Sequence, residues 1–274
     1  MKKSSLLLSI ILFLFAQCLF SQENESLSGS RFSIESAILN EERHCLISLP
    51  DSYADSPQKS YPIIVLLDGY THFKTTVSTV HLLSSDVNRN YLMPEAIVVA
   101  IENVDRERDF TVTKLQTKRA NTMGGGRNFL AFIETELIPY IDNRYRTESN
   151  RTLIGHSLGG LLTLNAYMSK ESLFDSFIAI DPSVWWDPQT MQQKADSIQP
   201  ASWQKPLYLA TANQGERGYE RNQKRHENLV QLIRTVSNNK ANIGIEYFED
   251  ESHRTIPLIG VYKGLRFIFS DRKE

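Results

Sequence analysis

The chain has 274 residues, 41% of them hydrophobic, and its 30 basic and 32 acidic side chains leave a formal net charge of -2. That is enough apolar chain for one large core, and the composition excludes a disordered, collagenous or coiled-coil protein. The near balance of charge gives no electrostatic case for binding nucleic acid.

At the start, Lys2 and Lys3 precede an almost unbroken apolar run over residues 6–15, and polar sequence begins at Ser21-Gln22-Glu23-Asn24. This is the layout of a secretory signal peptide, residues 1–21, with cleavage expected before Gln22. The apolar stretch falls short of the ~20 residues that span a bilayer, and no later run is longer, so no stable membrane insertion is expected. Export would deliver the mature chain to the periplasm or outside the cell. Residues 22–30 read as a flexible lead-in and 31–274 as one domain. Cys18 leaves with the signal peptide, so Cys45 has no intramolecular partner; its setting, Cys45-Leu46-Ile47-Ser48-Leu49, is that of a buried strand.

Residues 31–39 and 44–49 alternate as an antiparallel strand pair with its turn at 40–42. The solid apolar runs 63–67 and 96–101 suit strands covered on both faces. Residues 127–145 carry apolar side chains at helical spacing, with Pro139 marking a kink or a second start. A short strand at 152–154 leads into a small-residue helix over 158–169. Strands follow at 177–180 and 207–210, an amphipathic helix at 227–236, a strand at 243–248 and a closing helix at 258–269. Short strands alternating with helices predict an α/β fold with a mostly parallel sheet and helices on both faces.

Gly155-His156-Ser157-Leu158-Gly159-Gly160 matches G-x-S-x-G, set between an apolar strand and a helix. That context is what a nucleophile elbow requires: the serine sits on a strained turn at the sheet edge, and glycines let strand and helix approach. Gly155 and Gly159 are expected to be the positions where a Cβ would clash. A serine hydroxyl needs a base, and in this fold an acid and then a histidine follow the serine. Of His226 and His253, the former lies in the charged run Gln223-Lys224-Arg225-His226-Glu227 and reads as exposed. His253 follows a strand and precedes the last helix, so it is the expected base. The acid is expected on the loop after strand 207–210, Glu216 before Glu220, with Asp181 and Asp250 as alternatives. The oxyanion donors expected are the backbone N–H of Leu158 and of Gly69 or Tyr70. The charge pattern from Asp105 to Asp109 leaves Arg106 and Arg108 as either anion-binding or structural residues.

Further blocks carry a resemblance. They are Tyr61-Pro62-Ile63-Ile64-Val65-Leu66-Leu67-Asp68-Gly69, Asp105-Arg106-Glu107-Arg108-Asp109-Phe110-Thr111, Glu136-Leu137-Ile138-Pro139-Tyr140-Ile141, Pro182-Ser183-Val184-Trp185-Trp186, and His253 with Gly264-Leu265. Together they resemble the esterase family that groups esterase D with ferric-enterobactin esterases and mycolyltransferases, although Val112 stands where the family has proline. The resemblance implies an α/β-hydrolase fold, no metal or organic cofactor, and a small-molecule ester substrate, with siderophore and acyl-sugar esters as candidates. Trp185, Trp186 and Arg106 are the candidate substrate-binding residues. Acyl transfer to an alcohol, or a non-catalytic siderophore- or glycan-binding role, are the alternatives to hydrolysis.

Overall fold

The structure, a computed structural model, describes residues 29–85, 89–169 and 172–269. The expected signal peptide, and the lead-in up to residue 28, lie outside the described residues. Among the described residues the eight strands are β1 (Ser30–Ser36), β2 (Glu41–Ser48), β3 (Tyr61–Leu66), β4 (Ile97–Ile101), β5 (Thr147–His156), β6 (Ser176–Ile180), β7 (Leu207–Ala212) and β8 (Ile243–Phe248). They form one sheet in the order β1-β2-β4-β3-β5-β6-β7-β8. β2 runs antiparallel to β1 and to β4, and every other neighbouring pair is parallel.

Alternation along β3 shows why the sheet needs helices on both sides. Ile63 and Val65 face one core, Ile64 and Leu66 the other, and all four are buried. Helix α1 (Gly69–Ser84) and the last helix, α10 (Ile256–Ile268), cover the second core through Phe73, Val77, Val261 and Leu265. The opposite face is covered by α3 (Gly126–Phe132), α4 (Ile138–Asp142), α5 (Leu158–Tyr167), α6 (Pro188–Asp196) and α9 (Lys224–Val236). Between them in sequence come the short helices α2 (Arg106–Phe110), α7 (Pro200–Trp203) and α8 (Glu216–Gly218). Among the described residues no helix is long and apolar enough to cross a membrane.

Two local features differ from the sequence expectation. The β1–β2 turn falls at residues 37–40, not 40–42, with Asn40 at φ 54 taking the left-handed position. Over 127–145, Pro139 lies in the first turn of a second helical segment, as one reading of it expected, but that segment is joined to the first by a π-helical stretch, Ile133–Leu137, that the sequence did not foretell. The widened turn accommodates a ring that lacks an N–H and would press on the carbonyl four residues back. Cys45, by contrast, is fully buried in β2 as its setting implies, and burial pushes its thiol pKa up to about 12, which suits a packing residue.

β3 connects to β4 on one side and is flanked by β5 on the other, so the strand order reverses at β3 and β5. Their carboxyl ends flank the crevice where doubly wound sheets bind ligands. The Asp68–Gly69 turn leaves β3 there, and Ser157 leaves β5.

Candidate active site

Ser157 sits between β5 and α5 at φ 61, ψ -118, a conformation that costs a non-glycine residue on the order of 1–3 kcal/mol. The surroundings hold it there. Its N–H donates to Ile180 O at 3.0 Å, and its carbonyl accepts from Leu161 N and from Ser183 N, both at 3.0 Å. A Cβ on Gly155 would run into the Gly159 carbonyl and lie 2.6 Å from Thr163 Oγ1, so strand and helix pass too closely for any side chain. Gly159 is less constrained than the sequence suggested: a Cβ there would lie 3.3 Å from Asp68 Oδ2 and 3.4 Å from Leu67 Cβ, tight but not forbidden. Gly160, backed by Pro182 Cα at 3.0 Å, is the more demanding of the two.

His253 comes over the sheet edge from the loop after β8. Its Nε2 lies 3.1 Å from Ser157 Oγ, and its Nδ1 lies 2.5 Å from Asp181 Oδ2. With the ring proton on Nδ1 donated to the carboxylate, the Nε2 lone pair faces the serine hydroxyl, as general-base activation needs.

The acid expected at Glu216 is not the one in contact with His253. Glu216 is exposed at the start of α8, Glu220 pairs with Lys224 at 2.7 Å, and Asp250 is exposed in the turn after β8. Asp181, at the end of β6 one strand earlier, lies against the imidazole instead. It is fully buried, and its carboxylate accepts from Ala212 N at 3.1 Å, Asn222 Nδ2 at 2.7 Å and Gln214 Nε2 at 2.6 Å besides His253. Burial, the largest single influence, raises its pKa, but the His253 hydrogen bond together with the neighbouring His226 ring, the Ala212 N–H and the His253 ring outweighs it, so it lies below the ordinary carboxylate value.

Two further histidines support this array. His156 donates its Nε2–H to the His253 carbonyl at 2.8 Å, and the two rings lie 4.6 Å apart. Burial, then the neighbouring His253 and His72, push the His156 pKa down to about 4, so its ring is neutral at neutral pH. His226, expected on the surface, is wholly buried and donates Nε2–H to Pro182 O at 2.7 Å.

Gly69 and Tyr70 open α1, and Leu158 opens α5. The Tyr70 side chain is 87% exposed. The two helix starts meet where Gly159 packs on Leu67 and Asp68. Asp68, at φ 56, is held by Asn103 Nδ2 at 2.6 Å and by Arg106 Nε and Nη2 at 2.6 and 2.9 Å. Arg106 Nη2 also donates to His156 O at 3.2 Å. Through Nε and Nη2 its guanidinium ties the β3–α1 turn to the elbow, which favours a structural over a substrate-binding role for it. Arg108 is likewise engaged by Glu41 and Asp109.

Trp185 and Trp186 lie in a single 3-10 turn, Val184–Trp186, two and three residues beyond Ser183, whose Oγ is 3.3 Å from Ser157 Oγ. Trp186 packs on the core, while Arg221 covers the Trp185 ring at 3.7 Å. Among the described residues no cluster of histidine, cysteine, aspartate or glutamate is arranged to hold a metal ion.

The chain matches the family model described as Putative esterase over residues 36–253. It is 29% identical over 250 residues to the ferri-bacillibactin esterase BesA of Bacillus subtilis, covering 83% of this chain and 86% of that protein. It is 31% identical over 146 residues to the siderophore triacetylfusarinine C esterase of Aspergillus fumigatus, covering 50% of this chain and 49% of that protein. An IroE-like serine hydrolase from Shewanella oneidensis superposes with a TM-score of 0.81 and 30% identity, over 90% of this chain and 81% of that one. With the family pattern running through most of its length, the protein belongs to the Putative esterase family of carboxylic ester hydrolases.

Proposed function

We propose that the protein hydrolyses a siderophore ester through an acyl-enzyme on Ser157, with His253 as the base and Asp181 as the acid. The observation that carries this reading is the unbroken line from Ser157 Oγ to His253 Nε2 (3.1 Å) and from His253 Nδ1 to Asp181 Oδ2 (2.5 Å). Ser157 Oγ attacks the ester carbonyl while His253 Nε2 takes the hydroxyl proton. The tetrahedral intermediate collapses as His253 returns that proton to the departing alkoxide, and the acyl group stays on Ser157. Water repeats the cycle: His253 takes its proton, the acid leaves, and Ser157 recovers its hydrogen. Asp181 stays ionised throughout and stabilises the imidazolium.

The oxyanion is assigned to the N–H of Leu158 and that of Gly69 or Tyr70. Support comes from the meeting of two helix N-termini, each bringing backbone donors and a partial positive charge to one point. Trp185, with Arg221 over its ring, is assigned to the substrate-facing wall, and Trp186 to its floor. The substrate class rests on the siderophore esters named for the relatives in Bacillus and Aspergillus. Export is part of the same reading, supported by Lys2, Lys3 and the apolar run that follows them.

The test uses mature protein from Gln22 onward, wild type and Ser157→Ala, with ferri-bacillibactin, triacetylfusarinine C and an acyl-sugar ester, products being followed by mass. The siderophore esters should be opened by the wild type and left intact by the variant. Siderophore bound but left intact by a folded wild type would transfer the reading to a binding protein.

A further inference from the structure

Asp181 stands at φ 40, a left-handed conformation for a residue with a side chain, so something must hold the Asp181-Pro182-Ser183 segment in place. Two side chains from one helical run do so. Asn222, in the π-helical stretch Tyr219–Gln223 between α8 and α9, donates Nδ2–H to Asp181 Oδ1 at 2.7 Å. His226, four residues on in α9, donates Nε2–H to the Pro182 carbonyl at 2.7 Å. A spacing of four puts both on one helix face, and both are buried, at 2% and 0% exposure.

Packing alone does not call for these residues. Leu229, Val230 and Ile233 continue the buried face of α9 with apolar side chains. His226 instead uses both ring nitrogens: Nδ1 accepts from Thr211 Oγ1 at 2.9 Å on β7, which fixes the tautomer that donates to Pro182. Burial lowers its pKa, so the ring that makes both bonds is neutral. Asn222 Oδ1 has no partner, so its amide is held through the NH2 side that faces the acid. The π-helical stretch adds the wide turn just where Asn222 must face β6, a common place for such turns. The clamped segment reaches the nucleophile too, because Ser183 N donates to Ser157 O at 3.0 Å.

We propose that Asn222 and His226 are positioning residues, a two-point clamp that sets where Asp181 meets His253 and where Ser183 meets Ser157. The proposal rests on the triad reading given above. Neither residue touches the reacting atoms. Their effect runs through the depth and angle of the acid, where displacement by a fraction of an ångström slows chemistry without weakening substrate binding.

The experiment compares full-length His226→Phe, His226→Gln and Asn222→Ala with wild type and Ser157→Ala. It measures melting temperature, kcat and KM on p-nitrophenyl butyrate, and the rate of fluorophosphonate labelling. His226→Phe and Asn222→Ala should lower kcat about 10–100-fold, slow labelling in parallel and leave KM within about threefold. His226→Gln, whose amide can still donate to Pro182, should recover about tenfold of that loss. Folded His226→Phe and Asn222→Ala with kcat within about twofold of wild type would overturn the clamp. So would His226→Gln no faster than His226→Phe. Should His226→Phe fail to fold, Asn222→Ala decides by the same kcat threshold. Activity retained in Ser157→Ala would instead strike the triad reading, and the clamp would fall with it.

Discussion

Replacing Asp181 with asparagine isolates what the acid does, because the change is nearly isosteric and its consequences follow from four hydrogen bonds. In the wild type every donor around the carboxylate points at an acceptor: Ala212 N and Asn222 Nδ2 at Oδ1, Gln214 Nε2 and His253 Nδ1 at Oδ2. Asparagine has one oxygen and one NH2. Turning the NH2 toward Ala212 and Asn222 would bury two donor–donor contacts, each costing ~1–3 kcal/mol. Turning it toward His253 is cheaper, since the Gln214 amide can rotate to accept, but Nδ1 must then become the acceptor and the ring proton moves to Nε2. That proton faces Ser157 Oγ, and the base can no longer take the hydroxyl proton. The expected loss is ~10³–10⁴ in kcat, or ~4–5.5 kcal/mol in the barrier. Steady-state hydrolysis of p-nitrophenyl butyrate should show it with KM nearly unchanged, and fluorophosphonate labelling should slow by a similar factor. Glu216→Gln should stay within about twofold of wild type. Asp181→Asn within tenfold of wild type, or a larger loss for Glu216→Gln, would refute the reasoning.

His156 has its pKa pushed down to about 4 from 6.5, so on acidification the unfolded chain binds a proton that the folded protein does not. Stability should therefore fall as pH drops from 6.5 toward 4, by at most ~3 kcal/mol from this residue, and His156→Gln should flatten that slope in urea unfolding at several pH values. An unchanged slope would contradict this placement of His156. Arg106→Ala should lower kcat by about tenfold or more while leaving KM nearly unchanged, because it frees the Asp68 turn from the elbow; a rise in KM alone would restore a substrate-binding role. Gly155→Ala should cost ~3 kcal/mol or more, or prevent folding, whereas Gly159→Ala should be markedly milder; thermal melts that rank them the other way would contradict the packing at the elbow.

The strands were legible because long apolar runs such as Ile63-Ile64-Val65-Leu66 admit few alternatives, and the elbow because its glycines and serine follow such a run directly. Asp181 stood only as an alternative. The usual order of the fold points one strand further on, and nothing in Ile180-Asp181-Pro182 reveals that the chain turns left-handed there and directs the carboxylate at the histidine. His226 was hidden by charged neighbours, Lys224, Arg225 and Glu227. The helical period carries the signal nonetheless: Asn222, His226, Leu229, Val230 and Ile233 fall on one face once the helical run is extended back past Lys224 through the π-helical stretch that holds Asn222. Arg106 was undecidable from its own segment, since Asp68 and the His156 carbonyl are brought to it by the fold across 38 and 50 residues of chain.

The most direct measurement is a peptide map of the protein after reaction with a fluorophosphonate ester, taken on wild type and on Asp181→Asn. The account predicts one covalent phosphonyl group, on Ser157, formed at least about a hundredfold more slowly in the variant. A folded wild type that remains unlabelled, or that carries the group on another residue, would contradict it.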